Sequence, residues 1–375
     1  MHIKLGVGRG GRAASRRCPN RRTTLNVDYG DHETALKLSD KIGQLARKHG
    51  KQIKIMHVCG THEAAITRFG VRSLLPETFR VVMGPGCPVC ITPQGEIDAA
   101  IKMAKEGIMV ATYGDLMRVP GTEGSLADSG GDVHIVGSIT HAVELAKKTD
   151  NEVVFVAVGF ETTAPTTSVA LLQTLPDNFS IMCSHRLIPP ALRWLLEQVY
   201  QSGAQIDGFL LPGHVCTIIG LRPFEEFPVP QVVAGFEPND VLYGLYLIAK
   251  QIVNGEHKVE NAYPRVVHYE GNVKAQELMQ RTFDVVDVEW RGFPVISRSG
   301  YAIKGEFASC DARLRHNLDF TSKSVKTGCI CNLVLQGLRV PTDCKLFAKV
   351  CMPHKAVGPC MVSGEGACNV WYKNR

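Results

Sequence analysis

The sequence has 375 residues, a length for which about two or three domains are expected. Hydrophobic residues make up 45% and charged residues 21%, which is typical of an ordinary globular protein. The longest apolar runs, such as residues 153–160, are far too short to span a bilayer, so no membrane-spanning helix is expected.

The formal net charge is +6, and much of it comes from the Arg-rich residues 1–31. This segment lacks the apolar stretch of a secretory signal. We interpret it as a basic extension that is disordered or not native, with a mitochondrial-type presequence as the alternative. Because the remaining charge is nearly balanced, no binding to nucleic acid is predicted.

The chain has 13 cysteines, which is unusual for a sequence without a secretory signal. Clustered cysteines in a reducing compartment are typical of metal sites, iron–sulfur clusters or redox thiols. We therefore expect a cytoplasmic protein rather than a disulfide-stabilised secreted one. The last 47 residues hold six of the 13 cysteines, namely Cys329, Cys331, Cys344, Cys351, Cys360 and Cys368.

Helix-like and strand-like segments alternate from residue 33 onward. Apolar residues at helical spacing predict a helix over 33–48, closed by Gly50. Alternation of strands with helical segments indicates βαβ units and parallel sheets, with strands covered on both faces. The predicted strands are 53–58, 80–83, 108–112, 152–158, 180–183, 208–211 and 231–235.

Chemically capable side chains follow nearly every predicted strand. In open α/β sheets the ligand crevice lies beyond the carboxyl ends of the strands, so these residues are expected to share one site. The candidates of the first strand exit are Cys59, His62 and Glu63 of the CGTHE sequence. His62 could position a ligand or move a proton, and capping of the next helix is its alternative role.

Cys87 and Cys90 form a C-x-x-C pair in the sequence GPGCPVC, after the second strand. Such a dithiol can cycle to a disulfide or bind a metal. The flanking prolines fix φ and the glycines permit close approach, which a merely buried pair does not require. Together with Cys59, these thiols could share one soft metal ion.

Glu161, His185 and His214 each follow a later strand and are candidates for groups that support the site without binding its metal. Glu161 could equally cap the helix that follows it, and a lone histidine is more often structural. Cys183, Cys216 and Cys310 are interpreted as small core residues.

The cysteine-rich tail has the spacing C-x-C-x12-C-x6-C-x8-C-x7-C and little periodicity. A structural zinc site usually has two close pairs, whereas ligand spacing in iron–sulfur proteins varies widely. A 4Fe–4S cluster is therefore favoured over zinc or unligated thiols. Six candidates exceed the four required ligands, so the spacing alone leaves the ligand set open.

Taken together, the motifs resemble the HypD family of NiFe-hydrogenase maturation factors. They occur in the family's order and cover roughly residues 33–370. The motifs are CGTHE, GPGCPVCIT, GFETTAP, SHRLIPPA, LPGHVCTIIG, AGFEPNDVLYG, WRG and PTDCKLF…C…VGPCMVSGEGAC.

The resemblance implies an α/β protein with two Rossmann-like parallel-sheet domains and a C-terminal iron–sulfur-binding domain. We place the first α/β domain at 32–150, the second at 151–260 and the cluster domain at 261–375, with 1–31 outside the resemblance. The resemblance also implies that the cluster has surroundings similar to those in ferredoxin:thioredoxin reductase. The implied cluster ligands are Cys329, Cys344, Cys351 and Cys368, with Cys331 and Cys360 as alternates.

The resemblance further implies a scaffold on which the Fe(CN)2CO group of the hydrogenase is built. Cys59 would hold Fe(II) together with a cysteine of a HypC-type small chaperone, and soft thiolates suit such low-spin iron. Cys87 and Cys90 would take part in redox chemistry or cyanide transfer from a HypE-type donor. The hydrogenase large subunit would receive the iron, so it is an indirect partner.

The main alternative is a cluster-dependent thiol–disulfide reductase that resembles ferredoxin:thioredoxin reductase. A cluster-stabilised binding protein without a redox role is a third hypothesis. The sequence leaves open whether the chain turns over as an enzyme or acts as a platform.

Overall fold

A computed structural model describes residues 29–201, 205–321 and 327–375. The predicted basic extension therefore lies outside the described residues, except for 29–31 at the start of the first helix. The strands are β1 (Ile53–His57), β2 (Phe79–Met83), β3 (Met109–Thr112), β4 (Val133–Ile135), β5 (Val153–Gly159), β6 (Phe179–His185), β7 (Gly208–Pro212), β8 (Gln231–Ala234), β9 (Val259–Asn261), β10 (Phe283–Glu289) and β11 (Val295–Ile303).

Helices separate most of the strands, as the alternating pattern predicts. They are α1 (Tyr29–His49), α2 (Gly60–Arg68), α3 (Pro88–Ile91), α4 (Gln94–Lys105), α5 (Ile139–Ala146), α6 (Ala164–Leu171), α7 (Ile188–Gln201), α8 (Gly213–Ile219), α9 (Pro238–Asn254), α10 (Val273–Thr282), α11 (Ala312–Arg315), α12 (Cys331–Leu335), α13 (Pro359–Val362) and α14 (Ala367–Lys373). Within the described ranges, no helix is long and apolar enough to cross a membrane.

Two parallel sheets form the framework, which confirms the α/β class. The first sheet has the order β2-β1-β7-β8-β9 and the second has the order β4-β3-β5-β6. Every residue of β5, β7 and β8 is buried, as expected for strands covered on both faces. β10 and β11 form a separate antiparallel hairpin with a bulge between Val286 and Val288.

The two sheets do not follow the predicted division at residue 150. The first sheet takes β1 and β2 from the early chain and β7 to β9 from the later chain, whereas β3 to β6 form the second sheet. The predicted first domain thus contributes strands to both sheets. The chain leaves the first sheet after β2 and returns to it at β7, a crossover that local periodicity does not reveal.

The largest apolar cluster joins the facing sides of the two sheets. Phe209 of β7 and Val156 of β5 belong to it, and so do the buried dithiol residues Cys87 and Cys90. Cys360 of the tail lies in the same cluster. The tail therefore packs onto the body of the protein beside the dithiol. The predicted cluster domain is not confirmed as a separate unit.

Candidate functional site

The two cysteine motifs meet at the carboxyl ends of neighbouring strands. β1 and β2 pair in parallel, with His57 opposite Met83 at their ends. Beyond the strands, the Gly84 N–H donates to the His57 carbonyl at 2.7 Å, and the Gly60 N–H donates to the Gly86 carbonyl at 3.2 Å. The backbone segments that carry Cys59 and the dithiol are therefore joined directly.

Gly86 makes this close approach possible. A Cβ atom at this position would overlap the backbone atoms of Val58 and Cys59. The overlap is with main chain rather than with a flexible side chain, so it cannot be relieved by rotation of a side chain. The glycine of GPGCPVC thus sets the spacing between the two motifs.

Cys59 lies at the start of α2, and 8% of its surface is exposed. Burial raises the pKa of its thiol to about 11, although the backbone N–H groups of His62 and Thr61 favour the thiolate. The thiol is therefore protonated at neutral pH. A metal ion that binds this sulfur must displace its proton.

Cys87 and Cys90 form a disulfide with a Cα–Cα distance of 5.3 Å. The Cys90 N–H also donates to the Cys87 sulfur at 3.2 Å, at the first turn of α3. Both residues are 0% exposed. Neither residue is thus in direct contact with bulk solvent in this conformation.

Glu63 is fully buried and is occupied by several partners rather than free for catalysis. Its Oε2 receives the His57 imidazole at 2.6 Å and the Arg72 guanidinium at 2.7 Å. Its Oε1 accepts from the indole N–H of Trp371 at 2.6 Å and from the Thr67 hydroxyl at 2.9 Å. Glu63 anchors α2 to the C-terminal helix.

The pKa of Glu63 lies well below its usual range. Burial opposes ionisation, but Arg72 and His57 together outweigh it and hold the carboxylate charged. This buried charge therefore depends on the Arg72 guanidinium and on the hydrogen bond to His57.

His62 and His214 are brought together by Phe236. The His62 ring centroid lies 4.9 Å from that of Phe236. The His214 ring stacks on the same Phe236 ring, with the centroids 4.0 Å apart. His62 Nε2 donates to the Gly235 carbonyl at 2.9 Å, and Nδ1 has no partner among the described residues. Burial, followed by the neighbouring His57, lowers the pKa of His62 to about 3. A neutral imidazole is thus maintained beside Cys59.

His185 lies in the second sheet, apart from that histidine pair. Its Nε2 and the Thr167 hydroxyl are 2.9 Å apart, and its ring meets Phe283 edge-on at 5.9 Å. Burial lowers its pKa to about 3, and Arg186 contributes in the same direction. These contacts are typical of a histidine that stabilises the packing between elements.

Glu161 contacts the start of α7 rather than α6, the helix that the capping alternative assigned to it, and it has an unusual protonation state. Its Oε1 accepts from the Ile188 N–H at the start of α7, at 2.9 Å. Its Oε2 is buried and has no hydrogen-bond partner within the described part of the chain. Burial raises the pKa of Glu161 to about 8, so the carboxyl holds a proton at neutral pH.

Cys216 lies close enough to Glu161 and Cys59 for their charges to raise its pKa, after the larger effect of burial. It is 0% exposed in α8. The interpretation as a core residue fits this burial. Cys216 also lies close to Cys59.

The tail cysteines surround one cavity. All four implied cluster ligands line it, together with Cys331 and apolar side chains such as Val334 and Phe347. In the described ranges, no three His, Cys, Asp or Glu side chains converge as ligands of a single ion would. Thiols distributed around an apolar cavity fit a 4Fe–4S cluster, whose irons are held at separate corners. The ligands in question are Cys329, Cys344, Cys351 and Cys368.

Cys360 lies outside the lining of that cavity and interacts with Cys331. The Cys331 hydrogen bond and burial both raise the pKa of Cys360. Cys329 and Cys331 are 3.2 Å apart at sulfur. Cys331 therefore stays an alternate ligand, since it lines the cavity beside Cys329, whereas Cys360 does not line it.

The tail also contacts the dithiol segment. α13, which carries Cys360, packs against α3, which carries Cys90. Nearby, the Arg291 N–H donates to the Ile91 carbonyl at 2.8 Å. The Arg291 guanidinium is largely buried, which lowers its pKa, while the sulfurs of Cys331 and Cys329 favour its charge. The tail cysteines and the Cys87–Cys90 pair are thus connected through the contact between α13 and α3.

Several residues of the site could not be found from the sequence. Arg72 and Trp371 hold Glu63, and Glu365 lies over Gly60, but neither spacing nor local pattern marks them. Arg291 belongs to the WRG motif, which the resemblance includes without assigning a role. Glu365 likewise lies in the VGPCMVSGEGAC motif, so the resemblance offered a signal for Arg291 and Glu365.

Comparison with known proteins identifies the family. The HypD family model, described as the hydrogenase formation hypA family, matches residues 33–375. A Methanocaldococcus jannaschii protein named for hydrogenase expression and formation is 47% identical over 360 residues, which cover 93% of this chain and 99% of that protein.

Two bacterial relatives carry the name hydrogenase maturation factor HypD. The protein of Cupriavidus necator is 41% identical over 362 residues, covering 92% of this chain and 95% of the relative. The protein of Escherichia coli is 40% identical over 351 residues, covering 90% of this chain and 93% of the relative. The chain, with its joined cysteine motifs and cysteine-lined tail cavity, belongs to the HypD family of hydrogenase maturation factors.

Proposed function

We propose that this protein is the scaffold on which an iron ion receives its cyanide and carbonyl ligands before delivery to the hydrogenase. The iron is cargo, held by the Cys59 thiolate and by a cysteine of a HypC-type chaperone. A HypE-type protein supplies cyanide, and the hydrogenase large subunit is the later recipient. The names of the relatives support a role in hydrogenase maturation, and the specific partners are part of the proposal.

The observation that carries the proposal is the direct junction of the Cys59 and dithiol segments. The Gly60–Gly86 hydrogen bond of 3.2 Å and the close contact at Gly86 bring the backbone of the Cys59 segment against that of the dithiol segment. One protein thiolate leaves room for a partner's thiolate and for small ligands on the iron. An iron ion that has a single ligand from this chain suits cargo that must leave again.

Cys329, Cys344, Cys351 and Cys368 are the residues that would hold a resident 4Fe–4S cluster, since all four line one cavity. The cluster supplies one-electron redox chemistry when bound. The chain's own residues then connect this site to the dithiol, because α13 packs on α3.

The dithiol is suited to handle electrons and protons inside the protein. Oxidation of two thiols to a disulfide releases two electrons and two protons. Both sulfurs belong to residues that are 0% exposed, so a bulky diffusible disulfide does not reach them in this conformation. This burial favours the scaffold over the thiol–disulfide reductase.

The ligand set can be tested by a pair of matched substitutions in the tail. We expect Cys368→Ser to lose most of the about four iron and four acid-labile sulfide equivalents of the anaerobically prepared chain. Cys360→Ser should keep them, because Cys360 is buried in the same tail but does not line the cavity. Iron and sulfide analysis per chain makes the measurement, with circular dichroism as a control for folding. Equal contents in both variants would refute the assigned ligand set.

A further inference from the structure

We propose that α14 is a mechanical link between the cluster and the iron-binding thiol, with Trp371 as its positioning residue. α14 carries Cys368 in its first turn and Trp371 one turn later. Trp371 acts on Cys59 through Glu63 and α2. This inference rests on the proposed cluster and on the proposed role of Cys59 in holding iron.

The first contact joins α14 to α2. The indole N–H of Trp371 donates to Glu63 Oε1 at 2.6 Å, and Glu63 has no exposed surface. The Arg72 guanidinium lies 5.2 Å from the centroid of the indole ring and also binds Glu63. A charge-assisted hydrogen bond in a buried setting is among the stronger polar contacts in proteins. α2 begins directly after Cys59, so this contact fixes the helix that positions the thiol.

The second contact places the loop before α14 over the Cys59 segment. A Cβ atom at Gly60 would overlap the backbone and Cβ of Glu365. The Thr61 hydroxyl donates to Glu365 Oε1 at 3.3 Å. The tail thus covers the residue next to Cys59, and only 8% of Cys59 remains exposed.

The same loop is fastened on its other side to Asp115, which follows β3 of the second sheet. The Ser363 hydroxyl and the Gly364 N–H donate to Asp115 Oδ2 at 2.8 Å and 3.2 Å. Gly366 packs against the Cys360 backbone. The part of the tail that contacts Gly60 and Thr61 therefore lies in the segment between the tail cysteines Cys360 and Cys368.

This segment has little core of its own. It consists of short elements, α13 with four residues and α14 with seven. Segments of this kind are ordered largely by their metal site, because the metal's binding free energy becomes folding free energy. Loss of the ligand bond at Cys368 is thus expected to loosen α14, release Trp371 and uncover Cys59. By linkage, weakening the Trp371 contact should also weaken retention of the cluster.

The test follows alkylation of Cys59 by iodoacetamide, resolved by peptide mass spectrometry, on the anaerobic full-length chain. Trp371→Phe removes the N–H donor but keeps a ring for Arg72. We expect it to raise the alkylation rate of Cys59 about tenfold, as for the loss of one charge-assisted hydrogen bond. Tyr372→Phe is the matched control on α14, since the Tyr372 ring faces Phe347 of the tail, and it should not change the rate.

A second arm requires no substitution. A chelator is added to the parent protein, and cluster iron and Cys59 alkylation are followed together. We expect the rate at Cys59 to rise as iron is lost, and Trp371→Phe to lose iron several-fold faster than Tyr372→Phe.

The outcomes separate the link from the function on which it rests. A parent chain that binds no iron and sulfide would overturn the proposed function. A parent with a full cluster whose Cys59 alkylation stays constant during iron loss would overturn the link and leave the function standing. An equal response of Trp371→Phe and Tyr372→Phe would remove Trp371 from its role.

Discussion

Replacement of Glu63 by glutamine is expected to lower the free energy of unfolding by about 3 kcal/mol at pH 7. Glutamine has the same shape but no charge, so it leaves the Arg72 guanidinium and the His57 imidazole without their shared carboxylate. Removal of one partner from a buried ion pair leaves an uncompensated charge in a medium of low polarity. Urea unfolding followed by tryptophan fluorescence measures the change.

The pH dependence of the stability shows whether the effect of Glu63→Gln comes from the lost carboxylate charge. An unfolded glutamate titrates near pH 4.3, and the pKa of folded Glu63 is lower. The stability that Glu63 contributes is therefore present at neutral pH and is lost as pH falls below about 4.5 toward the folded pKa. Glutamine does not titrate. The difference in free energy of unfolding between the parent and Glu63→Gln should therefore become smaller in acid.

Glu33→Gln is the control for that substitution, since the Glu33 side chain is 70% exposed and pairs with Lys37 on the surface of α1. Its effect should stay within about 0.5 kcal/mol. Equal effects at Glu63 and Glu33 would show that the buried network contributes nothing specific.

Gly86→Ala is expected to destabilise the protein by about 3 kcal/mol or more and to separate the two cysteine motifs. The added methyl group overlaps the backbone of Val58 and Cys59, so β1 and the dithiol loop must move apart. The Gly60–Gly86 hydrogen bond is then lost. The thermal unfolding midpoint measures the stability, and alkylation of Cys59 reports the local rearrangement.

Gly137→Ala provides the comparison, because a Cβ atom there meets no other atom within 4 Å. Its unfolding midpoint should remain close to that of the parent. A Gly86→Ala protein with the parent's midpoint and unchanged Cys59 reactivity would contradict the assigned contact between the motifs.

The sequence was informative wherever a local pattern determines the structure. All seven predicted strands are present, because their apolar runs lie between helices and are buried. The strands outside the predicted set are two short edge strands and the partly exposed β10–β11 hairpin. β4 and β9 have three residues each and are only partly buried, so they lack an apolar run.

The membership of the two sheets could not be predicted in the same way. β7 pairs with β1 in parallel, with Ile55 opposite Gly208, although more than 150 residues separate the two strands. A parallel pair is specified by tertiary packing and not by the spacing of residues within each strand.

In the candidate site, too, residues in local motifs could be predicted, whereas contacts between distant parts of the chain could not. Cys59, Cys87 and Cys90 stand in motifs at strand ends, so their proximity could be expected from topology. Glu63 was predicted to be catalytic, but its environment depends on Arg72 and on Trp371, which lies 308 residues away. Only the folded chain brings such partners together. The roles of these residues in iron chemistry remain predictions.

The most direct test of the proposed scaffold is an infrared spectrum of the anaerobically purified protein, produced together with the proposed HypC-type chaperone and HypE-type cyanide donor. We expect absorption bands of metal-bound cyanide and carbon monoxide in the parent complex, and their absence in a Cys59→Ala complex that still forms and still carries its cluster. Bands of equal strength in Cys59→Ala would contradict the role of that thiol. No bands in a parent complex with an intact cluster would contradict the scaffold and favour the thiol–disulfide reductase.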